Sequence, residues 1–265
     1  MSSLFSGAAR ALNRAALSSA LLLVALFALV ACASNGASPG ATTTATTPPE
    51  PTATPVAGVR YVALAASDGV GYGASDPNHT AYVPIIISRL PHGSTALNLG
   101  ISGETLHKAL TDELPHAIAA RPTLITIWLV GNDFRDCVPL QQYGADLNTL
   151  LTQLQTQTSA KVFVANAPDF SALPAVAQEA ATGTFCGAPS SLAAVRSQTQ
   201  QWNQVIAAAV AAHHDTLVDL FNSDLSRHPD YISSDGFHPS DKGYLALANL
   251  FWAAITAQGA NKAAA

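Results

Sequence analysis

A parallel β-sheet covered by α-helices on both faces, an α/β fold, is the class this sequence predicts, and three observations predict it. From Val59 onward, apolar runs of strand length alternate with amphipathic stretches of helix length. Several of those runs are rich in Val, Ile and Leu, as strands buried on both sides are. The residues that carry chemistry, Ser67, Gly103, Asn132 and the pair Asp235 and His238, come in the stretches that follow strand candidates.

The strand candidates in order are Val59–Ala66, Ala96–Leu99, Leu124–Val130, Lys161–Ala167 and Thr216–Leu220. A sheet of about five strands suits a domain of about 200 residues. Helices are predicted over Tyr82–Arg89, Thr105–Leu114 and Ala145–Thr156. The clearest runs from Ser191 to His213, where Leu192, Val195, Thr199, Trp202, Ile206 and Ala209 recur at three-to-four spacing and so define a face for the sheet. A last helix is predicted from Pro239, a residue suited to a first helical position, through Tyr244, Leu247, Leu250 and Phe251 toward Ile255. There is no internal repeat.

Composition sets the outer limits. The chain has 265 residues, 49% of them hydrophobic and only 11% charged, which indicates a sizeable buried core rather than disorder. The net charge of -5 becomes more negative if Arg10 and Arg14 are removed with the N-terminus, so there is no electrostatic footprint for nucleic acid. Those two arginines precede an apolar run from Ala15 to Ala31, followed by Cys32, which is the layout of an export signal. The segment Leu29-Val30-Ala31-Cys32 resembles the lipobox of bacterial lipoproteins. That resemblance implies cleavage before Cys32, a diacylglycerol on its thiol, and a domain held outside the cytoplasm at the cell membrane; the alternative, an uncleaved anchor, is disfavoured because the run is short for a span.

Residues Ala33 to Gly58 are almost wholly Ala, Thr, Pro, Ser and Gly, with Glu50 the only charge, so no core can form from them and a solvated tether is expected. Fully extended, it would reach roughly 80 Å. The expected organisation is therefore a signal peptide over 1–31, a lipidated cysteine and linker over 32–58, a folded domain over 59–258 and a frayed tail over 259–265. With Cys32 consumed by lipid, Cys137 and Cys186 remain as an even pair in an oxidising compartment, and a disulfide between them is expected, with two free thiols as the alternative. Neither has a neighbour at metal-ligand spacing.

The chemistry concentrates in four segments. Asp235-Gly236-Phe237-His238-Pro239 puts an acid three residues before a histidine on a short turn, where it can hold the imidazole tautomer while the far nitrogen faces a hydroxyl. Upstream stand Ser67, Gly103 within Ile101-Ser102-Gly103-Glu104-Thr105, and Asn132 within Gly131-Asn132-Asp133; backbone N–H groups and an asparagine amide can hold an oxyanion. Each residue alone has a plainer reading, as a turn serine, a strand-ending glycine, a cap or a turn; only the four segments together point to a hydrolase. The pattern Gly-x-Ser-x-Gly of a nucleophile elbow is absent, as are phosphate-cradling and dinucleotide-binding glycine motifs, so no cofactor is expected. His213 and His214 are read as ending a helix, His79, His92, His107, His116 and His228 as lacking an acid or metal partner at helpful spacing, and Asp133 and Asp136 as surface residues.

The order and spacing of these four segments resemble the SGNH or GDSL hydrolase superfamily of esterases and lipases, over the whole of Val59 to about Ile255. The resemblance implies a three-layer α/β/α, flavodoxin-like sandwich in which Ser67 is the nucleophile, Gly103 and Asn132 are oxyanion donors, Asp235 is the orienting acid and His238 the general base. The family's Gly-Asp-Ser is here Ala65-Ala66-Ser67 with the aspartate displaced to Asp68, and Val130-Gly131-Asn132-Asp133 replaces Gly-Gly-Asn-Asp. The implied activity is hydrolysis of carboxylic esters, on a small molecule or a glycan, by a monomer anchored through its lipid. The altered serine turn keeps open a binding module without activity, and deacetylation of polysaccharide or acyl transfer to an alcohol are alternatives within the enzyme class. Phe134, Phe170, Phe185 and Phe237 are candidates to line an acyl pocket.

Overall fold

The structure, a computed structural model, describes residues 58–187 and 191–262. The expected signal peptide, Cys32 and almost all of the linker lie outside the described residues, as do the last three residues of the expected tail. Five parallel strands form one sheet: β1 Arg60–Ala65, β2 Thr95–Asn98, β3 Leu124–Trp128, β4 Lys161–Ala165 and β5 Thr216–Val218, in the order β2-β1-β3-β4-β5. That is the doubly wound order of flavodoxin-like folds, and it reverses direction between β1 and β3, where a crevice opens at the carboxyl ends of the strands. The register aligns Ala65 with Trp128, so the loops leaving β1 and β3 start side by side.

The helices are α1 Ser67–Val70, α2 Tyr82–Arg89, α3 Leu106–Asp112, α4 Leu114–Ala119, α5 Gly131–Arg135, α6 Leu140–Gln157, α7 Pro174–Thr182, α8 Leu192–Ala212 and α9 Asp241–Ala257. Alternation along β1 divides the core, since side chains two apart in a strand share a face. Val62 and Leu64 pack under α3, α4, α6 and α8, together with Leu150, Leu154, Trp202 and Ile206. Tyr61, Ala63 and Ala65 face α2 and α9, where Tyr82, Tyr244 and Phe251 stack. The result is the three-layer α/β/α sandwich that the resemblance implies, with β2 as a solvent-exposed edge.

Several boundaries differ from the sequence reading for identifiable reasons. The single helix expected over Thr105–Leu114 is two, separated at Glu113, whose backbone takes φ -111° and whose successor helix carries Pro115 in its first turn. Proline has no N–H to give and is at home only there. The helix expected from Ala145 starts five residues earlier at Leu140, directly after Pro139. The last helix starts at Asp241 rather than Pro239, because Ser240 caps it by accepting from the Gly243 N–H. No described helix is long and apolar enough to cross a membrane.

Cys137 and Cys186 form the expected disulfide, with Cα atoms 5.5 Å apart. It joins the turn after α5 to the turn after α7, and so ties the loop that leaves β3 to the loop that leaves β4.

Candidate functional site

Ser67 is the first residue of α1, set by the abrupt turn from β1 through Ala66. The turn is possible because α1 lies almost against the loop after β2. A Cβ on Gly69 would come within 3.2 Å of the Gly100 Cα, and one on Gly100 within 3.0 Å of Gly69, so both positions need glycine. The small Ala65-Ala66 pair is compatible with this packing, and both side chains are buried. The Ser67 hydroxyl is turned toward the last loop of the chain, 2.8 Å from His238 Nε2.

That last loop is a narrow hairpin. Ile232 bridges Pro239, the Ser233 N–H donates to the His238 carbonyl at 2.8 Å, and Gly236 takes φ +75°, a left-handed value that only glycine adopts freely. The hairpin presents Asp235 Oδ2 2.6 Å from His238 Nδ1. Asp235 Oδ1 accepts from the Ser233 hydroxyl and from the N–H groups of Phe237 and His238, at 2.8, 2.8 and 3.0 Å. Burial pushes this carboxyl up, but the bonds from the Phe237 N–H, the His238 ring, Ser233 and the His238 N–H outweigh it and hold it down to about 2. An ionised carboxylate can only accept, so Nδ1 carries the ring proton and Nε2 is left free to accept from the serine.

Asn132 lies in the first turn of α5, next to Ser67 because β3 is next to β1, and its Nδ2 donates to the Glu104 carbonyl at 2.7 Å. It lines the same pocket as Ser67 and His238. Gly103, one peptide away from that carbonyl, has φ +79° and sits in the exposed loop after β2. It is not among the residues lining the pocket, and its N–H has no protein acceptor among the described residues.

The pocket itself encloses about 560 Å³ counted out to its open mouth. Its walls are largely apolar, with Trp128, Phe170, Leu173, Leu225, Ile232 and Phe237. Of the four phenylalanines singled out in the sequence, Phe170 and Phe237 line it, whereas Phe134 and Phe185 are buried beneath, with Phe134 packed on Phe170 and Trp202. Arg135 lies 4.7 Å over the Phe237 ring and pairs with Glu179, bracing this wall from outside.

Other residues depart from the sequence reading. Asp133 is buried, not on the surface: its Oδ2 accepts the Leu106 N–H at 2.9 Å, and burial lifts it to about 6. Glu113 is fully buried beneath the serine turn, accepts the Ala65 N–H at 3.0 Å, and is pushed up to about 9, first by burial and then by the charges of Glu104, Asp68 and Asp112. Burial likewise lifts Asp68 to about 7. His79 and His107 do have acid partners, Asp76 at 2.8 Å and Asp146 at 3.3 Å, but both rings are exposed and no serine hydroxyl accompanies either among the described residues.

Comparison with known proteins places this geometry in context. Among curated protein sequences there is no match. In solved structures the chain is similar to the esterase EstA of Pseudoalteromonas sp., with 17% identity, TM-score 0.58, and coverage of 75% of this chain and 97% of that one. It is similar to a catalytic mutant of Axe2, an acetylxylan esterase of Geobacillus stearothermophilus, at 20% identity and TM-score 0.59, covering 75% and 94%. A lipase/acylhydrolase of Enterococcus faecalis gives 18% identity and TM-score 0.56, covering 76% and 96%. Residues 65–246 match the GDSL-like lipase/acylhydrolase family, a span that begins at the serine turn and closes beyond the aspartate–histidine hairpin, and the chain belongs to that family.

Proposed function

We propose that the protein is a serine esterase that hydrolyses carboxylic esters through an acyl-enzyme at Ser67. The observation that carries this reading is the continuous chain from hydroxyl to imidazole to carboxylate, 2.8 and 2.6 Å long in its two links. As the Ser67 oxygen bonds to the ester carbonyl carbon, its proton passes to His238 Nε2. Asp235 stays ionised and stabilises the imidazolium. The carbonyl oxygen, now an anion, is held by the Asn132 amide, with the N–H of Ser67, which has no acceptor among the described residues, beside it; the Gly103 N–H is given no contact with it, because Gly103 does not line the pocket. His238 returns the proton to the leaving alcohol, the C–O bond breaks, and the acyl group remains on Ser67. Water then enters, gives its proton to His238, and releases the carboxylic acid as the serine recovers its hydrogen.

The export and lipid-anchor reading belongs to the same proposal. It rests on the Arg10-to-Cys32 segment of the sequence and agrees with a disulfide at the domain surface. The substrate is an ester of a small molecule or of a glycan. Hydrolysis of p-nitrophenyl acetate by the purified chain, lost in Ser67→Ala, is the expected result. Equal turnover in that variant would overturn the assignment of the nucleophile.

A further inference from the structure

In the reaction above, His238 gives its proton to the departing alcohol, so the alcohol oxygen lies within hydrogen-bond reach of Nε2 as the C–O bond breaks. Whatever stands beside the imidazole therefore stands beside the alcohol half of the substrate. Tyr72 stands there. Its ring centroid is 4.7 Å from that of His238, and at 57% exposure it is the most exposed large hydrophobic side chain among the described residues.

The exposed ring sits on a fixed backbone. The Tyr72 N–H donates to the Ser67 carbonyl at 2.9 Å, and the Tyr72 carbonyl accepts from the Tyr244 hydroxyl at 2.6 Å. Gly73, the next residue, takes φ +90° and lies so close to the aspartate–histidine hairpin that a Cβ there would meet the Pro239 carbonyl oxygen at 2.7 Å and the Ser233 Oγ at 2.9 Å. Tyr72 is thus held to both segments that carry the reacting groups before any substrate binds, which lowers the cost of using its ring as a contact surface.

Tyr72 also lines a second recess, which shares only Ile232 with the apolar pocket that holds Ser67 and His238. This recess is an open shelf of about 1130 Å³ counted out to solvent, and its rim is polar: Ser234 is exposed, and Asp230 and Lys242, both exposed, pair at 2.9 Å. The two halves of an ester have different fates, since the acyl group stays bonded to the serine while the alcohol must leave. The enclosed apolar pocket suits the first and the open shelf the second. Resting on the esterase reading above, we infer that Tyr72 and this shelf form the alcohol-side subsite, and that the alcohol they take is a saccharide ring. The face of an aromatic ring is negative and attracts the C–H hydrogens of a sugar, which its oxygens polarise. Around that face a carboxylate can only accept, an ammonium can only donate and a serine hydroxyl does both, so hydroxyl groups at the edge of a ring lying on Tyr72 meet partners of each kind. A plain alkyl alcohol would displace water from this rim and give it nothing in return.

The test uses three acetates, which form the same acyl-enzyme and differ only on the alcohol side: ethyl acetate, cyclohexyl acetate and methyl 3-O-acetylglucopyranoside. Acetate release by the full chain gives kcat/KM from initial rates, taken before the acetyl group migrates around the sugar, and each value is divided by the ester's own hydroxide-catalysed rate constant. The glucoside ester is expected to exceed cyclohexyl acetate, a ring without hydroxyls, by about threefold or more. Tyr72→Ala should lower the ratio of glucoside ester to ethyl acetate by about three- to tenfold, and Tyr72→Phe, which keeps the ring face, should preserve it. If Tyr72 only steadied His238, Tyr72→Ala would slow all three esters alike and leave that ratio unchanged, a result that would overturn the subsite. A glucoside ester no better than cyclohexyl acetate would overturn the saccharide class. Hydrolysis of p-nitrophenyl acetate with none of the three turned over would overturn this inference alone, whereas no hydrolysis of p-nitrophenyl acetate either would count against the esterase reading and take the inference with it.

Discussion

The Tyr244 hydroxyl donates to the carbonyl of Tyr72 at 2.6 Å, and this bond ties the helix that follows His238 to the turn that follows Ser67. Tyr72 is itself joined to both Ser67 and His238. Its N–H donates to the Ser67 carbonyl at 2.9 Å, and its ring lies 4.7 Å from the His238 ring. One turn earlier on α9, Asp241 accepts from the Ser75 N–H and hydroxyl and from the Thr80 hydroxyl, at 2.8, 2.5 and 2.7 Å. The first and last loops of the domain, 171 residues apart in sequence at the serine and histidine, are thus fastened at several points.

Tyr244→Phe removes only the hydroxyl from this arrangement. The expected cost in stability is about 1 kcal/mol, the ordinary net worth of one such bond. The expected effect on catalysis is a several-fold fall in kcat with KM little changed, since the loss loosens the serine–histidine register and leaves the pocket intact. Steady-state kinetics and thermal unfolding on the same preparation check both. A KM effect with kcat preserved would contradict the positioning role.

Asn132→Ala removes the side-chain donor assigned to the oxyanion. Turnover should fall roughly a hundred- to a thousandfold, by precedent for a single donor of this kind. The fold should survive, because Asn132 is only half-buried and bonds to a single carbonyl. Circular dichroism alongside kcat checks this, and unchanged turnover would refute the role.

The buried acids give stability a definite pH dependence. Glu113, Asp68 and Asp133 are lifted to about 9, 7 and 6, so in the folded chain they keep protons that the unfolded chain releases near 4. The contribution is complete below the unfolded values and is lost as pH rises toward the folded ones, at up to about 1.4 kcal/mol per pH unit for each proton retained. Asp235, held at about 2, acts in the opposite sense: its contribution is present above the ordinary aspartate range and lost as pH falls toward 2. Denaturant unfolding should therefore show stability declining from pH 5 to 9, and Glu113→Gln, which can still accept the Ala65 N–H, should flatten that decline. An unchanged slope would show that Glu113 does not carry the proton.

Reducing the Cys137–Cys186 bond, or replacing both cysteines by serine, should lower stability by about 2–4 kcal/mol, or roughly 5–15 °C in Tm. The bond closes a loop of 49 residues, long enough for the loss of unfolded-state restriction to be felt. Thermal scans with and without reductant, with thiols counted, check this; equal Tm values after complete reduction would contradict it.

What the sequence made legible follows from range. All five expected strands lie within about two residues of the observed ones; for β1, β3 and β4 the reason is that β-branched and leucine-rich runs report burial on two faces directly, whereas β2 is exposed throughout. The Asp235–His238 hairpin was legible for the same local reason, since the turn, the acid and the imidazole all lie within four residues. That logic alone is insufficient, as Asp76 and His79 show: they have the same spacing and a 2.8 Å contact, yet they are exposed, and among the described residues no serine hydroxyl bonds the His79 ring, the neighbouring Ser75 being turned to Asp241. What distinguishes the two pairs is the position of the strand that delivers Ser67, which is a property of the sheet. The burial of Glu113 and Asp133 was illegible on the same ground. An acid that turns inward to hold an N–H of another segment, Ala65 or Leu106, leaves no periodic trace in its own neighbourhood.

Whether His238 makes the Ser67 hydroxyl nucleophilic is read out by covalent labelling. A fluorophosphonate probe, followed by peptide mass mapping, should modify the peptide containing Ser67, be lost in Ser67→Ala and be strongly slowed in His238→Ala. Modification at another serine, or labelling of His238→Ala at the rate of the unmodified chain, would show that His238 does not activate Ser67.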